Sequence, residues 1–593
     1  MAAAAATPLS LLTSMIKWFF ALLFVPQVCL AQMHDNTWIL GYLGDTITSN
    51  ENGMEVLTFP QGNLKVEQNT QLQRFNFDGT NTSFSDSTGQ VLSFTNGVHI
   101  GNAAWKIMDD GDSITQAYEA LGSIWPQWFL ALPYPGKTSK HFYFYEKEGF
   151  TSILDFHATH FYSAALDMSY HLGLGKVIER DVLLIQDTMA VGKICAVKHA
   201  NGRDWWVFVN EKNSNRYHRL LVDTGGIHVI GNQTVGIPVV DGVGQAGFSP
   251  NGEHYFIYGT VSSTQGAYID LYDFDRCEGL FYNHRQFHFI DRNWGGGAFS
   301  PNSRYLYINY FTKAYQYDLE AADVWASRVQ VAEYDGFLDP FFTTFFLMQL
   351  APDGKIYSSS TNGVSSLHVI HSPDEPGEAC QYQQHGIELP TYNSFSIPTF
   401  PNYRLGPLDG SPCDTLGIDN LPISWWRSEQ DTLDPLTMAF HDLSYYEPDT
   451  WAWDFGDPVS GLSNTSSERH PDHLFSAPGD YQVCLTVSNA NASNTLCRTL
   501  TLGNTLAENP EIRERIQVSP NPFLNHIGVA LSANLRSPIF RLYDQMGRLV
   551  RKESLAFGIS EIETGALPAG MYFWAISAAG ERVKTGKIIK LSK

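Results

Sequence analysis

Short strand-like runs separated by polar turns recur along the first two thirds of the chain. Four similar turns occur in "KHANGRDWWVFV", "GFSPNGEHYFIYG", "AFSPNSRYLYINY" and "QLAPDGKIYSSS". They are spaced by 50, 51 and 51 residues, as counted from Ala200, Pro250, Pro301 and Pro352. In each turn an Asn or Asp precedes a Gly or Ser, and an alternating apolar strand follows. This period predicts a series of similar antiparallel sheets.

The strand after each turn also repeats, and the turn itself has weaker copies upstream. The recurring strands are "AYIDLYDFD" (267–275), "AYQYDL" (314–319) and "SSLHVI" (365–370), and the upstream copies are "SDSTGQVLSF" and "YPGKTSKHFYFY". Sheets of four strands that pack only on their neighbours can close into a ring. We therefore expect an all-β chain that opens with a β-propeller over residues 32–410. Seven blades are favoured, with six or eight blades, or an irregular array of sandwiches, as alternatives.

A second β module is predicted over 423–503, after a polar linker at 411–422. Trp453 and Phe455 alternate inward along one strand, and Asp454, Gly456 and Asp457 form the turn that ends it. Pairing 481–488 with 493–500 around a tight loop places Cys484 opposite Cys497, on the face away from the apolar side chains. Because the two residues oppose each other, we expect a disulfide between them.

A third β module is predicted over 515–593, after a linker at 504–514. "YDQMGRLV" reads as a hairpin in which Gly547 supplies a positive φ angle, and "LPAGMYFWAI" as a turn followed by a buried strand. The chain ends in the alternating, basic segment "ERVKTGKIIKLSK", in which Lys584, Lys587 and Lys590 would flank and solubilise an edge strand.

Composition narrows the class of protein. The 593 residues carry a formal charge of −23, with 13% aromatic and 17% charged residues, 49 glycines and 29 prolines. This acidity argues against a general nucleic-acid binder, which needs a basic face. Lys17 followed by the apolar run 18–25 and by small residues predicts a signal peptide over 1–31, with cleavage after Ala31.

Export implies an oxidising compartment, and beyond the leader no apolar run is long enough to cross a membrane. A lipid-anchored Cys29 and a start at Met15 are alternatives for the leader. Six cysteines remain after cleavage; the sequence leaves the pairing of Cys195, Cys277, Cys380 and Cys413 open.

Three resemblances follow from these segments. "AFSPNSRYLYIN", "QLAPDGKIYSSS" and "FSIPTFPNYRLG" resemble a family of exported bacterial propeller proteins, for which no substrate is established. "TWAWDFGDPVSG" with "PGDYQVCLTV" is similar to a PKD domain, an immunoglobulin-like sandwich. The last module resembles a type IX secretion C-terminal sorting domain of type A. Its matching residues are Ser519, Pro520, Asn521, Pro522, Asp544, Gly547, Pro568, Gly570, Tyr572, Lys584, Lys587 and Lys590.

The sorting resemblance implies a partner and a location. In that family the tail is read by the outer-membrane secretion machinery and is normally removed when the protein is attached to surface lipopolysaccharide. We therefore expect a secreted or cell-surface protein. The basic end of the chain is then a sorting signal, because a nucleic-acid arm would need denser charge and a membrane anchor more apolar length.

Candidate catalytic groups are sparse. HExxH, GxSxG and P-loop signatures are absent from the sequence, and no GxGxxG opens a predicted helix. Asp155, His157 and His160 could hold a metal but do not share a strand face, and His284 with His288 lacks a third ligand. Asp454 and Asp457 could touch calcium, although turn hydrogen bonds explain them equally well. A sugar platform could use one of the tryptophans 105, 125, 128 and 294, and at most one of Trp205 and Trp206.

The sequence therefore favours a surface binding or adhesion protein without an assigned cofactor or catalytic residue. Its propeller would bind a glycan or protein, and the PKD-like module would act as a spacer or as an accessory adhesive module. A polysaccharide hydrolase with a carboxylate pair in the propeller channel is one alternative, and a structural protein of the surface layer or biofilm is another. Raised pKa values on converging channel carboxylates would indicate the hydrolase.

Overall fold

A computed structural model describes the chain from residue 32 to residue 591. The segments outside the described residues are 1–31, 43–51, 72–74, 116–121, 153–154, 239–241, 261–265, 291–293, 432–433, 503–515, 532–537, 546–547, 556–557, 579–580 and 592–593. The predicted signal peptide (1–31) and the 504–514 linker therefore lie outside the described residues. In the part that is described, no helix is long and apolar enough to span a bilayer.

Seven antiparallel sheets follow one another from residue 37 to residue 393. Blades 1 and 2 have three strands each: β1 (Thr37–Tyr42), β2 (Gly53–Thr58), β3 (Lys65–Asn69); β4 (Thr82–Ser85), β5 (Val91–Thr95), β6 (Ile100–Asn102). Blades 3 and 4 have four: β7 (Phe129–Pro133), β8 (Lys140–Ser152), β9 (Asp155–Asp167), β10 (Lys176–Met189); β11 (Cys195–Lys198), β12 (Trp205–Asn210), β13 (Arg216–Asp223), β14 (Gly226–Thr234).

Blades 5 to 7 repeat the same meander. Their strands are β15 (Ala246–Phe248), β16 (His254–Thr260), β17 (Ala267–Asp275), β18 (Leu280–Phe289); β19 (Gly295–Phe299), β20 (Tyr305–Tyr310), β21 (Lys313–Asp318), β22 (Val329–Glu333); β23 (Phe345–Leu350), β24 (Ile356–Ser360), β25 (Val364–Ile370), β26 (Tyr382–Asn393). The fold is a seven-bladed propeller, which confirms the expectation from the repeat.

The repeated turns join the first and second strands of the blades. A backbone N–H closes each of the six turns on a carbonyl: Asp86 on Gln90, Tyr134 on Lys140, His199 on Asp204, Ser249 on His254, Ser300 on Tyr305 and Ala351 on Lys355. Four turns need a left-handed residue, and φ there is 76° at Gly202, 74° at Gly252, 64° at Ser303 and 78° at Gly354. This explains why Gly or Ser follows Asn or Asp in the repeat. We name the side of the propeller that carries these turns the turn face.

The ring closes with chain from both of its ends. Residues 394–400 run beside β1 in the opposite direction: Asn393 Oδ1 accepts the Gly41 N–H at 3.4 Å, and Phe400 packs on Trp38. The same segment follows β23, where Phe395 contacts Phe346 and the Phe400 N–H bonds to Gln349. It therefore takes the innermost position of blade 1, next to blade 7.

Two buried glutamines link the inner strands of different blades. The Gln245 carboxamide accepts the N–H groups of Gly297 and Met348, at 3.1 and 3.0 Å, and joins blades 5, 6 and 7. Gln127 exchanges two hydrogen bonds with the backbone of Ala246, at 2.7 and 2.8 Å. These amides satisfy buried backbone groups and join the inner strands of blades 3, 5, 6 and 7 by hydrogen bonds.

The second domain is a β-sandwich of two sheets. One sheet contains β27 (Trp426–Gln430), β28 (Thr437–Asp442) and β31 (Asp472–Leu474), and the other β29 (Thr450–Asp454), β30 (Thr465–Ser466), β32 (Gly479–Ser488) and β33 (Ser493–Leu502). Trp453, Phe455, Val483, Leu485 and Val487 are buried between them.

This sandwich packs on the turn face instead of standing apart from the propeller. Arg427 Nε donates to the Asp353 carbonyl at 2.7 Å, and Lys355 Nζ contacts Glu429 at 2.5 Å. Arg498 lies 4.2 Å above the Trp425 ring and donates to the carbonyl of Gln61. Charged side chains thus fix the sandwich against the blades.

The third domain is a second, smaller sandwich. Its sheets are β34 (Ile516–Ser519), β35 (His526–Leu531) and β38 (Gly558–Glu563), and β36 (Ile539–Tyr543), β37 (Leu549–Ser554), β39 (Gly570–Ala578) and β40 (Glu581–Lys590). Short 3-10 turns elsewhere in the chain cover Pro60–Gly62, His171–Gly173, Gly377–Cys380 and Pro458–Asn464.

Two disulfides are present among the described residues. Cys484 and Cys497 are directly paired across β32 and β33, with a Cα–Cα distance of 4.0 Å. Cys277 pairs with Cys413 at a Cα–Cα distance of 5.6 Å, while Cys195 and Cys380 are buried as free thiols. The segment predicted as a linker (411–422) is therefore anchored covalently to blade 5.

Candidate functional site

A cleft lies where the sandwich domain meets the turn face at blades 5 and 6. Its volume is about 1010 Å³, and its walls come from the turns of both blades, the β17–β18 turn, the 402–413 segment and residues 444–451 of the sandwich. We name it the interdomain cleft. Ligand sites in proteins lie preferentially at such domain boundaries.

Three partly exposed aromatic rings line the interdomain cleft, one from the propeller and two from the sandwich domain. Tyr282, on β18, has 53% of its surface exposed, whereas Tyr446 and Trp451 of the sandwich are half-buried. The Arg469 guanidinium lies 5.4 Å from the centre of the Trp451 ring. Aromatic rings that are partly open to solvent offer apolar faces for stacking.

Charged and polar groups surround these rings. Arg276 is buried at the base of the cleft, where its Nε donates to the Lys198 carbonyl at 3.0 Å. Burial lowers the pKa of Arg276 to about 10. Burial also raises the pKa of Glu447, and the charge of Asp409 adds to this effect. A basic and an acidic side chain thus line the same cleft as the rings.

The local sequence explains how the cleft wall is held. The Asp275 carboxylate accepts the N–H of Cys277 at 2.7 Å and so shapes the turn after β17. The Cys277–Cys413 bond then ties the 402–413 segment to that turn. The hydrogen bond of Asp275 and the disulfide thus hold this wall of the cleft without a bound ligand.

A smaller cavity of about 240 Å³ lies at the axis under the crossing segment 399–404. Two carboxylates line it, and each is paired with an arginine: Asp35 with Arg404 at 2.5 Å, and Asp442 with Arg469 at 3.0 Å. Both acids are thus held in ion pairs with arginines.

The tryptophans proposed from the sequence are mostly buried. Trp125, Trp128, Trp205 and Trp206 lie in the blade cores, and Trp105 packs on Phe94. Trp294 is 43% exposed and lies next to Phe346. Sequence reasoning did not single out Tyr282, Tyr446 or Trp451. Cys277, in the turn after β17, is a sequence feature that could have indicated this region.

The histidines proposed as metal ligands make structural contacts with neighbouring side chains. His284 Nε2 bonds to the buried Asp270 at 2.6 Å, His288 stacks on Tyr268, and His160 contacts Thr159. His157 is buried, and the Asp155 side chain lies outside the described residues. Across the described part of the chain, no group of three His, Cys, Asp or Glu side chains could hold a metal ion.

The aspartates of the sandwich turn are also used locally. Asp454 Oδ1 accepts the Gly456 N–H at 3.0 Å and the Asn464 amide at 3.0 Å. Asp457 is buried and accepts both the hydroxyl and the N–H of Ser476, at 2.6 and 2.8 Å. These bonds give both carboxylates a role in the turn.

In the third domain, most motif residues stabilise the fold. Asn521 bonds to β40; it belongs to the motif Ser519, Pro520, Asn521, Pro522. Asp544 pairs with Arg548 at 2.7 Å. The Tyr572 hydroxyl donates to the Pro568 carbonyl at 2.7 Å, and Gly570 begins β39. Gly547 lies outside the described residues.

The three lysines of the last strand do not share one role. Lys584 Nζ donates to the Ile516 carbonyl at 2.6 Å, and only Lys587 is exposed. Lys590 is buried and donates to the Thr564 carbonyl beneath the Phe523 ring. The expectation that all three solubilise an edge is therefore wrong for Lys590, because residues 521–523 cover that part of β40.

Comparison with known proteins identifies two of the three domains. Residues 429–502 match the family described as "PKD domain", and residues 517–591 match "Secretion system C-terminal sorting domain". A search of curated proteins found no match.

Solved structures were compared as well. The PKD1 domain of Vibrio anguillarum Epp is 28% identical, with 14% of this chain and 93% of that chain covered and a TM-score of 0.12. A protein of unknown function from Desulfotomaculum acetoxidans is 12% identical, with 61% and 100% covered and a TM-score of 0.33. A Lactobacillus plantarum protein is 11% identical, with 61% and 98% covered and a TM-score of 0.36.

The chain is thus an exported, all-β protein of three domains. It carries a seven-bladed propeller, a PKD domain and a type IX secretion sorting domain, and the sorting domain directs it to the cell surface.

Proposed function

We propose that this surface protein binds an extracellular oligosaccharide in the interdomain cleft. The observation that carries the proposal is the placement of Tyr282, Tyr446 and Trp451 around one cleft, beside the charged groups of Arg276 and Glu447. A sugar ring has apolar C–H faces, which stack on aromatic rings, and hydroxyl groups, which exchange hydrogen bonds with such side chains.

The size of the cleft also favours a small ligand. At about 1010 Å³, the interdomain cleft lies at the upper end of the range typical of small-molecule sites. A protein ligand would need a broad, shallow surface instead of a cleft between two domains. The PKD domain supplies part of the site in this proposal, which is consistent with its close packing on the turn face.

Glycan-array screening of the mature chain, followed by calorimetry with the best ligand, tests the proposal. Tyr282→Ala and Trp451→Ala should each weaken binding by about two- to tenfold, because a stacked ring contributes roughly 0.5–1.5 kcal/mol. Tyr282→Ala is the cleaner variant, since this side chain is exposed.

Trp294→Ala is the matched control, because Trp294 is an exposed aromatic residue outside the cleft. The proposal is wrong if Trp294→Ala abolishes binding while both cleft variants retain it, or if the wild-type chain binds no glycan.

A further inference from the structure

The sorting domain has a sheet face that is only partly covered. In the sheet formed by β36, β37, β39 and β40, the strand register places Phe573 between Tyr543 and Lys587, and Met571 opposite Ile589. Phe573 is 45% exposed and Ile589 39% exposed. We name these five residues, Tyr543, Met571, Phe573, Lys587 and Ile589, the tail patch.

The tail patch is not needed for the interior of the domain. The core faces the other way and contains Tyr572, Trp574, Ile576 and Ile588. Most of the motif residues serve the fold as well, through the contacts of Asn521, Asp544 and Lys590 described above. Residues that hold the fold do not by themselves form a surface that a partner can read.

The two ends of this sheet face differ in their surroundings. At one end, Arg541 pairs with Glu388 of blade 7, and Lys552 lies 3.3 Å from Asp339. The tail patch lies at the other end, and among the described residues no acidic group pairs with Lys587. The propeller therefore occupies one half of the face and leaves an apolar half, marked by one lysine, open.

The charge of the domain indicates what kind of surface can meet this patch. Residues 515–593 contain eleven basic and five acidic residues, although the whole chain has a net charge of −23. A basic module on an acidic chain favours a partner with carboxylates. An exposed cluster of aromatic and aliphatic side chains is typical of a protein contact.

We propose that the tail patch is the docking surface for a component of the secretion system, one that presents an apolar surface with a carboxylate opposite Lys587. The match to the sorting family names the occupant, because a sorting domain must be read by its secretion system. Phe573 supplies the central ring of the contact, and Lys587 fixes its orientation.

The test measures surface display of the full chain in a host that carries the secretion system. Phe573→Asp and Lys587→Glu should each reduce the surface-exposed fraction at least about tenfold, as expected for central residues of a protein contact, with the protein accumulating in the periplasm. Ile559→Asp is the matched control: Ile559 is an exposed aliphatic residue (77%) on β38 of the opposite sheet, and display should remain at the wild-type level.

Thermal unfolding of the purified full-length variants separates docking from folding. If Phe573→Asp unfolds the domain, Lys587→Glu decides, because the Lys587 side chain is exposed and the bond from Asn521 is to its backbone carbonyl, which the substitution keeps. Normal display of a folded Lys587→Glu variant, or an equal loss with Ile559→Asp, would overturn the proposal.

Discussion

The carboxamide of Asn521 accepts a hydrogen bond from the backbone N–H of Ile589 at 3.0 Å. The same side chain donates to the carbonyl of Lys587 at 3.1 Å. Two residues further on, the backbone of Phe523 bonds to Ile589 and Leu591. The start of the sorting domain thus closes the free edge of its last strand, which would otherwise expose unpaired backbone groups.

Asn521→Ala should therefore loosen β40. Loss of the two hydrogen bonds should cost about 1–3 kcal/mol of local stability, because the backbone groups of a partly covered strand lose their partner. Hydrogen exchange followed by mass spectrometry should show faster exchange of the Ile589 amide. Gln517→Ala, at an exposed position on β34, should leave this exchange rate unchanged. Equal exchange in both variants would contradict the assignment.

The Cys484–Cys497 bond should stabilise the PKD domain by a measurable amount. The two residues are separated by 13 positions, and closing a loop of this length removes about 3 kcal/mol of chain entropy from the unfolded state. Replacing both cysteines by Ala should lower the free energy of unfolding by about that amount in denaturant titrations.

Thr486 and Thr495 offer a matched control for the disulfide. They form the neighbouring cross-strand pair and are joined only by a hydroxyl hydrogen bond of 2.8 Å. The Thr486→Ala/Thr495→Ala variant should lose less than about 1 kcal/mol. A loss as large as that of the cysteine variant would show that the covalent link adds nothing.

The stability of the propeller should fall as the pH drops from about 6.5. Burial lowers the pKa of His141 to about 3, and the nearby His34 adds to this effect. Between about pH 6.5 and 3, His141 binds a proton in the unfolded chain but not in the folded one. Proton binding therefore stabilises the unfolded state relative to the folded state. The stability that the neutral, buried His141 contributes is therefore fully present above pH 6.5 and is lost as the pH falls towards 3.

Melting temperatures between pH 7 and pH 4 test this. His141→Gln should flatten the pH dependence, since Gln cannot titrate but can still bond to Ser93, which lies 2.7 Å from His141 Nε2. Ser93→Ala, which removes the hydroxyl but leaves the buried imidazole of His141, should keep the slope. An unchanged slope in His141→Gln would refute the assignment.

Glu429 should couple the PKD domain to the propeller. Burial alone would raise the pKa of this carboxyl, but the hydrogen bond from His441 and the charges of Arg427 and Lys355 hold it well below its usual range. A double-mutant cycle of Glu429→Gln and Lys355→Met should give a coupling energy between about 0.5 and 3 kcal/mol.

The control cycle uses Lys65 and Glu67 of blade 1. This pair has the same charges at 2.9 Å but is exposed on both sides, so its coupling should be near zero. Equal coupling in both cycles would mean that the interdomain pair contributes no more than a solvated one.

The blades were predictable because their signal is local. Asn251 with Gly252 and Asp353 with Gly354 fix a left-handed turn within a few residues, and the alternating strands follow directly. The PKD turn around Trp453 and the strand pairing of Cys484 with Cys497 are local in the same sense.

The remaining features depend on contacts between distant parts of the chain. The alternation of residues 394–397 is interrupted by Pro398, so the position of this segment beside β1 is defined only by the closed ring. Arg427 bonds to the Asp353 carbonyl, and Lys590 is buried beneath Phe523. Each contact joins segments that are far apart in sequence and that have no distinctive sequence pattern. The same holds for the interdomain cleft, whose aromatic residues come from two domains.

The neighbourhood of Asp35 and Arg404 has a consequence for biogenesis. These residues flank the whole disc in sequence and form an ion pair, so the first blade lacks its inner layer until chain more than 350 residues downstream arrives. The chain leaves a ribosome or a translocation pore from its amino end. Blades 2 to 7 can therefore form before blade 1 is complete. Maturation of this protein is expected to be a late, concerted event, and a chain interrupted before residue 404 should remain susceptible to proteases.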